Sequence, residues 1–418
     1  MKHPRVSTDS RKIEENGLFF GLKGPNFNGN KFAKDALEKG AIYSIIDETE
    51  YKTSDKTILV NDVLETLQEL ATFHRNHCKA KIISLTGSNG KTTTKELVSE
   101  VFSSHYKTHF TKGNFNNHIG VPLTLLAMPA KTEVAIIEMG ANHVGEIEFL
   151  CKIAEPTHGI ITNIGRAHLE GFGGIEGVKR GKSELYRFLE KNRGMAFVNE
   201  DEQFLKELSE GVKLRLFYKK SENPNPEIRP YETKLTETSP FLKVAFLSEK
   251  HELTEIWTQL IGDYNFNNIM TAVTVGRYFK VPSEKIKKAV ENYIPKNNRS
   301  EILKRDSNTF ILDAYNANPT SMKNALENLS NTEAETKIAI MGDMLEMGEY
   351  SFSEHENILN YAQSLNFNQV ITVGKEFEKI KEREAVLHFE NTQKLKEWFD
   401  RKKFKNTHFL IKGSRGIG

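Results

Sequence analysis

Thr86-Gly87-Ser88-Asn89-Gly90-Lys91-Thr92-Thr93-Thr94 follows the apolar run Ile82-Ile83-Ser84-Leu85 and precedes a helical pattern from about Thr92 to Phe102. A buried strand, a glycine-rich turn and a helix, in that order, gather backbone N–H groups and the positive end of a helix dipole around an anion. A lysine at the end of such a turn reaches the terminal phosphates of a nucleotide, and a threonine hydroxyl can hold Mg²⁺. The spacing departs from the general phosphate-loop pattern, because the first glycine of Gly-x-x-x-x-Gly-Lys-Ser/Thr would fall at Leu85. The competing reading is a chance Gly-Lys-Thr turn, which the flanking strand and helix disfavour.

Outward from this turn, strand-like runs return at Val134-Ala135-Ile136-Ile137, Gly159-Ile160-Ile161-Thr162 and Met195-Ala196-Phe197-Val198, with helical stretches between them. Strands alternating with helices imply a mostly parallel sheet, here in a central domain over 80–296. Within it, Asn223 to Pro240 reads as loops and hairpins, followed by helices at about Asn265–Phe279 and Ser283–Tyr293. Ile294-Pro295-Lys296-Asn297-Asn298 reads as a linker. Residues 1–79 mix short apolar runs such as Gly17-Leu18-Phe19-Phe20-Gly21 with a helical pattern from Asp62 to His74, as in a small α/β domain. Residues 297–418 alternate again: strands at Phe310–Leu312, Ile338–Met341, Val370–Val373 and His408–Ile411, and helices at Thr320–Leu329, Ser353–Leu365 and Thr392–Lys402. That layout is Rossmann-like. The predicted fold class is therefore α/β in three domains, consistent with a length of 418 residues.

The chain is 38% hydrophobic and 27% charged, with a net charge of +2, so no global basic field argues for nucleic acid. No apolar run approaches the ~20 residues of a membrane span, and the polar stretch Met1 to Arg11 lacks a signal peptide's apolar core. A cytoplasmic location is expected. Cys78 and Cys151 lack zinc-ligand spacing, and each is expected to be a buried reduced thiol.

Three further sites carry chemistry. Ile136-Ile137-Glu138-Met139-Gly140 puts an acid at a strand's C-terminal end, where a carboxylate binds Mg²⁺ directly or through water; a solvated loop glutamate is the alternative. Thr162-Asn163-Ile164-Gly165-Arg166-Ala167-His168-Leu169-Glu170 places a histidine beyond another strand end. Lys179-Arg180-Gly181-Lys182 follows, and by composition alone reads as a solvated helix start or a phosphate contact. A protonated lysine is a poor Mg²⁺ ligand.

Taken together, the glycine-rich turn, the strand-end glutamate, the Asn-x-x-x-Ala-His-Leu run and the following lysine resemble the Mur ligases, three-domain ATP-dependent amide ligases of peptidoglycan synthesis. The likeness extends along essentially the whole chain, through Asn114-Phe115-Asn116-Asn117-His118-Ile119-Gly120-Val121-Pro122, Asp313-Ala314-Tyr315-Asn316-Ala317-Asn318-Pro319, Gly342-Asp343-Met344-Leu345-Glu346-Met347-Gly348-Glu349 and Lys412-Gly413-Ser414-Arg415-Gly416. It is strongest to the branch that adds D-alanyl-D-alanine to UDP-N-acetylmuramoyl-tripeptide. Relatives usually carry a helical segment ahead of the run that matches Asp9-Ser10-Arg11 and continue into a last helix after the run that matches Lys412-Gly413-Ser414-Arg415-Gly416.

The resemblance implies a small α/β UDP-binding domain, a central P-loop ATPase-like domain and a C-terminal Rossmann-like domain. It implies that Gly87, Ser88, Asn89, Gly90, Lys91, Thr92 and Thr93 wrap the ATP phosphates. Thr92 and Glu138 would hold one Mg²⁺, and His168 with a carbamylated Lys182 a second. Asn268 would contact adenine, while Arg299 and Asp313 would close over phosphate and ribose. Asn116 and Asn117 would face substrate, and Thr8, Asp9, Ser10, Arg11 and Lys23 would form the UDP-sugar surface. Lys91, Glu138, His168, Lys182 and Arg299 would be the catalytic set of a monomer. Arg299 and Asp313 are expected to stand away from the loop until ligands bind. Two alternatives stay open: another amino-acid-adding ligase of this kind or a folylpolyglutamate synthase-like enzyme, and a P-loop module that forms no amide.

Overall fold

In a computed structural model of the chain, residues 5–225, 231–296, 298–380 and 386–417 are described. Asn297 of the expected linker, part of the expected 223–240 loop, Met1 to Pro4 and Gly418 lie outside them. The chain is α/β and its strands form three large sheets.

The central sheet has nine strands. Thr108–Phe110, Val134–Glu138, Lys81–Thr86, His158–Ile161, Met195–Asn199 and Leu214–Lys220 lie side by side in that order, all parallel. Ile82 to Thr86 are all buried because both faces of strand Lys81–Thr86 are covered. Ile83 and Leu85 pack with Leu97, Val101 and Ile269 on one side, and Ile82 packs with Val121, Leu150 and Leu185 on the other. It is the first of these strands in the chain, yet it has a later one on each side. The chain crosses over in both directions there, which opens a crevice beyond the strands' C-terminal ends. Thr86, Glu138 and Ile161 end three neighbouring strands at that crevice.

Within the expected loops and hairpins of 223–240, Glu232–Glu237 is a strand that forms a hairpin with Lys243–Leu247, while the other described residues of that stretch are not in strands. Glu232–Glu237 joins parallel to Leu214–Lys220, and Lys243–Leu247 and Leu253–Trp257 extend the edge antiparallel. The third sheet runs Glu301–Arg305, Asn308–Leu312, Thr407–Lys412, Thr336–Gly342, Gln369–Val373, Leu387–Phe389, parallel except for its first pair. A four-stranded parallel sheet of Val6–Ser7, Leu18–Phe20, Tyr43–Ile46 and Thr57–Leu59 forms the N-terminal part.

Helix Val63–Cys78 ties that small sheet to the central one. Its buried residues recur every three or four positions, at Val63, Leu67, Ala71, His74 and Cys78. Val63 and Leu67 pack with Phe20 and Ile45, whereas Ala71 and Cys78 enter the central core. Cys78 and Cys151 are free and buried, as expected.

Candidate active site

The glycine-rich turn lies at the crevice and ends in helix Lys91–Ser103. Its two glycines are required sterically. Gly87 has φ +143°, and a Cβ there would meet Thr162 Oγ1 at 2.0 Å; Gly90 has φ +76°, with Asn268 Oδ1 2.5 Å from where a Cβ would stand. The turn is held from the neighbouring strand end. Ser88 N–H donates to the Asn163 carbonyl (3.1 Å), Asn89 N–H to Asn163 Oδ1 (2.9 Å) and Thr162 Oγ1 to the Asn89 carbonyl (2.6 Å). Ser88 Oγ donates to the Gly165 carbonyl at 3.0 Å. Thr162, Asn163 and Gly165 thus shape the loop, a role that motif reading did not assign; their position at an adjacent strand end was the available signal.

Lys91 folds back on the turn and donates to the carbonyls of Gly87 (2.7 Å) and Ser88 (3.2 Å). Burial pushes its pKa down to about 8; Glu138 opposes the shift and Arg299 adds to it. Glu138 is buried at the end of its strand. Its Oε1 accepts from Asn116 Nδ2 (2.8 Å) and Thr92 Oγ1 (3.3 Å). Its Oε2 has no hydrogen-bond partner among the described residues and stands 4.0 Å from the buried Lys95 ammonium. A buried carboxylate oxygen left unpaired beside a threonine hydroxyl is a donor set suited to a hard cation such as Mg²⁺. Lys95 is another residue that motif reading passed over.

Arg299, Asp313, Asn318 and Lys412 from the C-terminal part line the same cavity of about 1120 Å³ as Ser88–Thr93, Asn116, Asn117, Glu138, His168 and Asn268. Arg299 and Asp313, expected to stand away from the loop until ligands bind, line the cavity together with it in this structure. Polar bonds hold the parts together: Asn318 Nδ2 donates to Asn89 Oδ1 (2.7 Å), Arg166 pairs with the buried Glu354 (3.0 Å) and Tyr264 Oη bonds Ser300 Oγ (2.6 Å). The Arg299 guanidinium stacks over Tyr315 at 3.6 Å, and Asp313 accepts from Lys412 Nζ at 2.6 Å.

Other expected residues are engaged differently. Asn268 Oδ1 accepts from Thr94 Oγ1 (2.9 Å) and its Nδ2 donates to Asn265 (2.8 Å), so its side chain braces the turn from behind Gly90. Asn117 Oδ1 accepts the N–H groups of Ile119 (3.2 Å) and Gly120 (2.9 Å), starting helix Gly120–Leu126. Of the expected second metal pair, His168 lines the cavity with Nδ1 bonded to Glu346. Lys182 is buried just behind it, donating to the Ala141 carbonyl at 2.9 Å. As a free amine Lys182 is not part of the cavity lining, and its pairing with His168 is not made. None of Thr8, Asp9, Ser10, Arg11 and Lys23 lines this cavity either. Arg11 forks onto Asp9 (2.9 Å to each oxygen), and Lys23 pairs with Asp47 (3.0 Å) and Glu48 (3.3 Å). The N-terminal part reaches the cavity instead through Asp62, Leu64, Glu65 and Gln68.

Three family descriptions match the chain in succession: "Mur ligase family, catalytic domain" over 4–79, "Mur ligase middle domain" over 85–276 and "Mur ligase, glutamate ligase domain" over 298–415. The chain belongs to the Mur ligase family. Among Mur ligases it is 33% identical to the UDP-N-acetylmuramoyl-tripeptide–D-alanyl-D-alanine ligase of Bacillus subtilis (strain 168), over 99% of this chain and 90% of that one. The enzyme of the same name from Escherichia coli (strain K12) is 30% identical over 89% and 81%. Its fold matches MurF from Acinetobacter baumannii with a TM-score of 0.86 at 30% identity, covering 99% and 91% of the two chains. It also matches the MurF ligase from Thermotoga maritima in complex with ADP, with a TM-score of 0.85 at 26% identity over 99% and 95%.

Proposed function

We propose that this Mur ligase is the ATP-dependent enzyme that joins D-alanyl-D-alanine to UDP-N-acetylmuramoyl-tripeptide in peptidoglycan precursor synthesis, acting in the cytoplasm as a monomer. The observation that carries this reading is the convergence on one cavity of the glycine-rich turn, the buried Glu138 and two groups from the C-terminal part, Arg299 and Asp313. At about 1120 Å³ the cavity stands at the upper end of the ~300–1,000 Å³ usual for a small-molecule site. We assign 1–79 to the UDP-sugar, 80–296 to ATP and 297–418 to closing over the amine.

A carboxylate does not react with an amine at neutral pH, so it is activated first. The terminal carboxylate of the tripeptide attacks the γ-phosphorus of ATP in line, the β–γ bond breaks, and an acyl phosphate and ADP result. The amine of D-alanyl-D-alanine then attacks the acyl carbon, phosphate leaves, and one proton is lost from the nitrogen. Lys91 would release the Gly87 and Ser88 carbonyls and turn its ammonium to the terminal phosphates, with Arg299 opposite. The turn's N–H groups would hold the remaining phosphate charge. Thr92 and Glu138 would hold Mg²⁺, which when bound offsets charge on the transferring phosphoryl group. Closing of the C-terminal part excludes water, which would otherwise hydrolyse the acyl phosphate.

Lys182 fits a carbamate chemically. Burial, with Lys91 adding to it, holds its pKa well below the ordinary lysine range, and only a neutral amine has the lone pair that attacks CO₂. The neutral amine's nitrogen bonds to the carbon of CO₂ as one C–O π bond opens, one proton leaves the nitrogen, and the neutral amine becomes an anion with two oxygen donors. We propose that this anion, with His168, supplies the second Mg²⁺ site.

The test is phosphate release with panels of both substrates. ATP-dependent release only when UDP-N-acetylmuramoyl-tripeptide and D-alanyl-D-alanine are both present is expected. Equal release with free amino acids in place of the dipeptide would assign another ligase of the family, and release with neither substrate a bare nucleotidase.

A further inference from the structure

Glu346 belongs to the loop after strand Thr336–Gly342, in the C-terminal part, yet its carboxylate meets His168 of the central part. Both residues are held for that meeting. Each has a left-handed backbone, φ +53° at His168 and +62° at Glu346, a conformation uncommon for residues with a side chain and one that persists where the surroundings enforce it. His168 directly precedes the short helix Leu169–Phe172. The Glu346 carbonyl accepts the N–H of Glu170 at 3.4 Å, so the loop is docked by its backbone as well. Tyr350, four residues on, packs against the central core.

The bond consumes Nδ1 of His168. With Nδ1–H donated to the carboxylate, the neutral ring keeps its lone pair on Nε2, the nitrogen left for the cavity that His168 lines. A carboxylate behind a histidine in this way fixes the tautomer and the ring's orientation.

We propose that Glu346 is a positioning residue that the C-terminal part delivers on docking, and that it turns Nε2 of His168 toward the cation at the reacting phosphate. This rests on the proposed ligand role of His168. Docking and completion of the second cation site are then one event, so that site is not fully formed while the parts are separated.

The experiment measures Mn²⁺ binding by the loss of free-ion resonance, using the full chain with a non-hydrolysable ATP analogue. The wild type is expected to show two binding events. In Glu346→Ala the weaker should lose ~10- to 100-fold in affinity, the range for removing such a supporting group, while the tighter is unchanged. Glu346→Gln, whose amide oxygen still accepts from Nδ1–H, should recover most of the loss. Glu354→Ala, which breaks the neighbouring Arg166 pair across the same junction, controls for docking alone and should affect the weaker event far less. Wild-type binding in Glu346→Ala, or an equal loss in Glu354→Ala, would overturn the proposal. Wild-type binding in His168→Ala would instead remove the ligand role on which it rests.

Discussion

Lys91 ends where its own charge is disfavoured, and that has a measurable sign. Its pKa is about 8 in the folded chain against 10.5 for an ordinary lysine, with burial the main cause. The unfolded chain therefore binds more protons between these values. The cost to stability is in full force below pH 8 and is relieved as pH rises toward 10.5. A bound triphosphate would favour the ammonium again, so ATP binding should take up protons in the same window. Titration calorimetry near about pH 9, in two buffers of different ionisation enthalpy, should show this uptake for the wild type and not for Lys91→Ala. Equal heats in both buffers would remove Lys91 from the phosphate site. The same variant should fold normally and form no amide.

Lys182 makes the second prediction at this scale. If its carbamate is a ligand, Lys182→Ala is nearly inactive, and formate or acetate in the vacated space partly restores turnover. Small amines would rescue a lost cation instead. Rescue by amines alone, or full activity in the alanine variant, would show that Lys182, which here donates to the Ala141 carbonyl, is not the metal ligand proposed.

At the scale of elements, the turn's tolerance is set by what stands behind it. Gly90→Ala forces a side chain into a left-handed backbone, at a cost of ~1–3 kcal/mol, and drives its Cβ against Asn268 Oδ1. Urea unfolding should register the loss, and affinity for ATP should fall with it. Combining it with Asn268→Ala should return the part due to the clash and leave the backbone strain. Strictly additive losses in the double variant would mean that the two residues do not press on one another.

The strand, turn and helix around Gly90 were legible in the sequence because Ile82 to Leu85 and Val134 to Ile137 are buried on both faces, so the first run is apolar apart from Ser84 and the second is unbroken. Other elements gave no such signal. Glu301–Arg305 is an edge strand with three exposed residues among five, and Leu387–Phe389 is only half-buried. The Lys243–Leu247 and Leu253–Trp257 strands follow the polar stretch that reads as loops, and only their pairing partners make them sheet. The site residues were legible where a motif fixes chemistry by spacing, as at Lys91 and Glu138. Residues that work through one bond from far along the chain were not. Asn318 on Asn89, Glu346 on His168 and Lys95 near Glu138 leave no local period, and the bracing of the turn by Asn268 depends on Gly90, far away in sequence.

For the whole molecule, the decisive quantity is the balance between docked and separated parts. The junction across the cavity is mostly polar: Asn318 to Asn89, Arg166 to Glu354, Tyr264 to Ser300, and the Arg166 N–H to Thr320 Oγ1 at 3.3 Å. Each such bond contributes a net ~0.5–1.5 kcal/mol, because separated groups bond to water instead. Polar junctions of this kind between parts of one chain leave relative motion as the default. Docking is therefore marginal, and removing two contacts should shift it. Asn318→Ala with Glu354→Ala is expected to raise the radius of gyration in solution scattering above the wild-type value. High salt should have a similar but smaller effect, since it screens the half-exposed Arg166 more than the buried Glu354. An ATP analogue with UDP-N-acetylmuramoyl-tripeptide should bring the double variant back toward the compact profile, because ligands that bridge both parts bind the docked state alone. Amide formation should recover with increasing substrate concentration, as a higher KM at similar kcat, since saturating ligands supply the lost docking energy. A double variant with the wild-type profile, with and without ligands, would mean that the parts form one rigid body and that closure is not a step of the reaction.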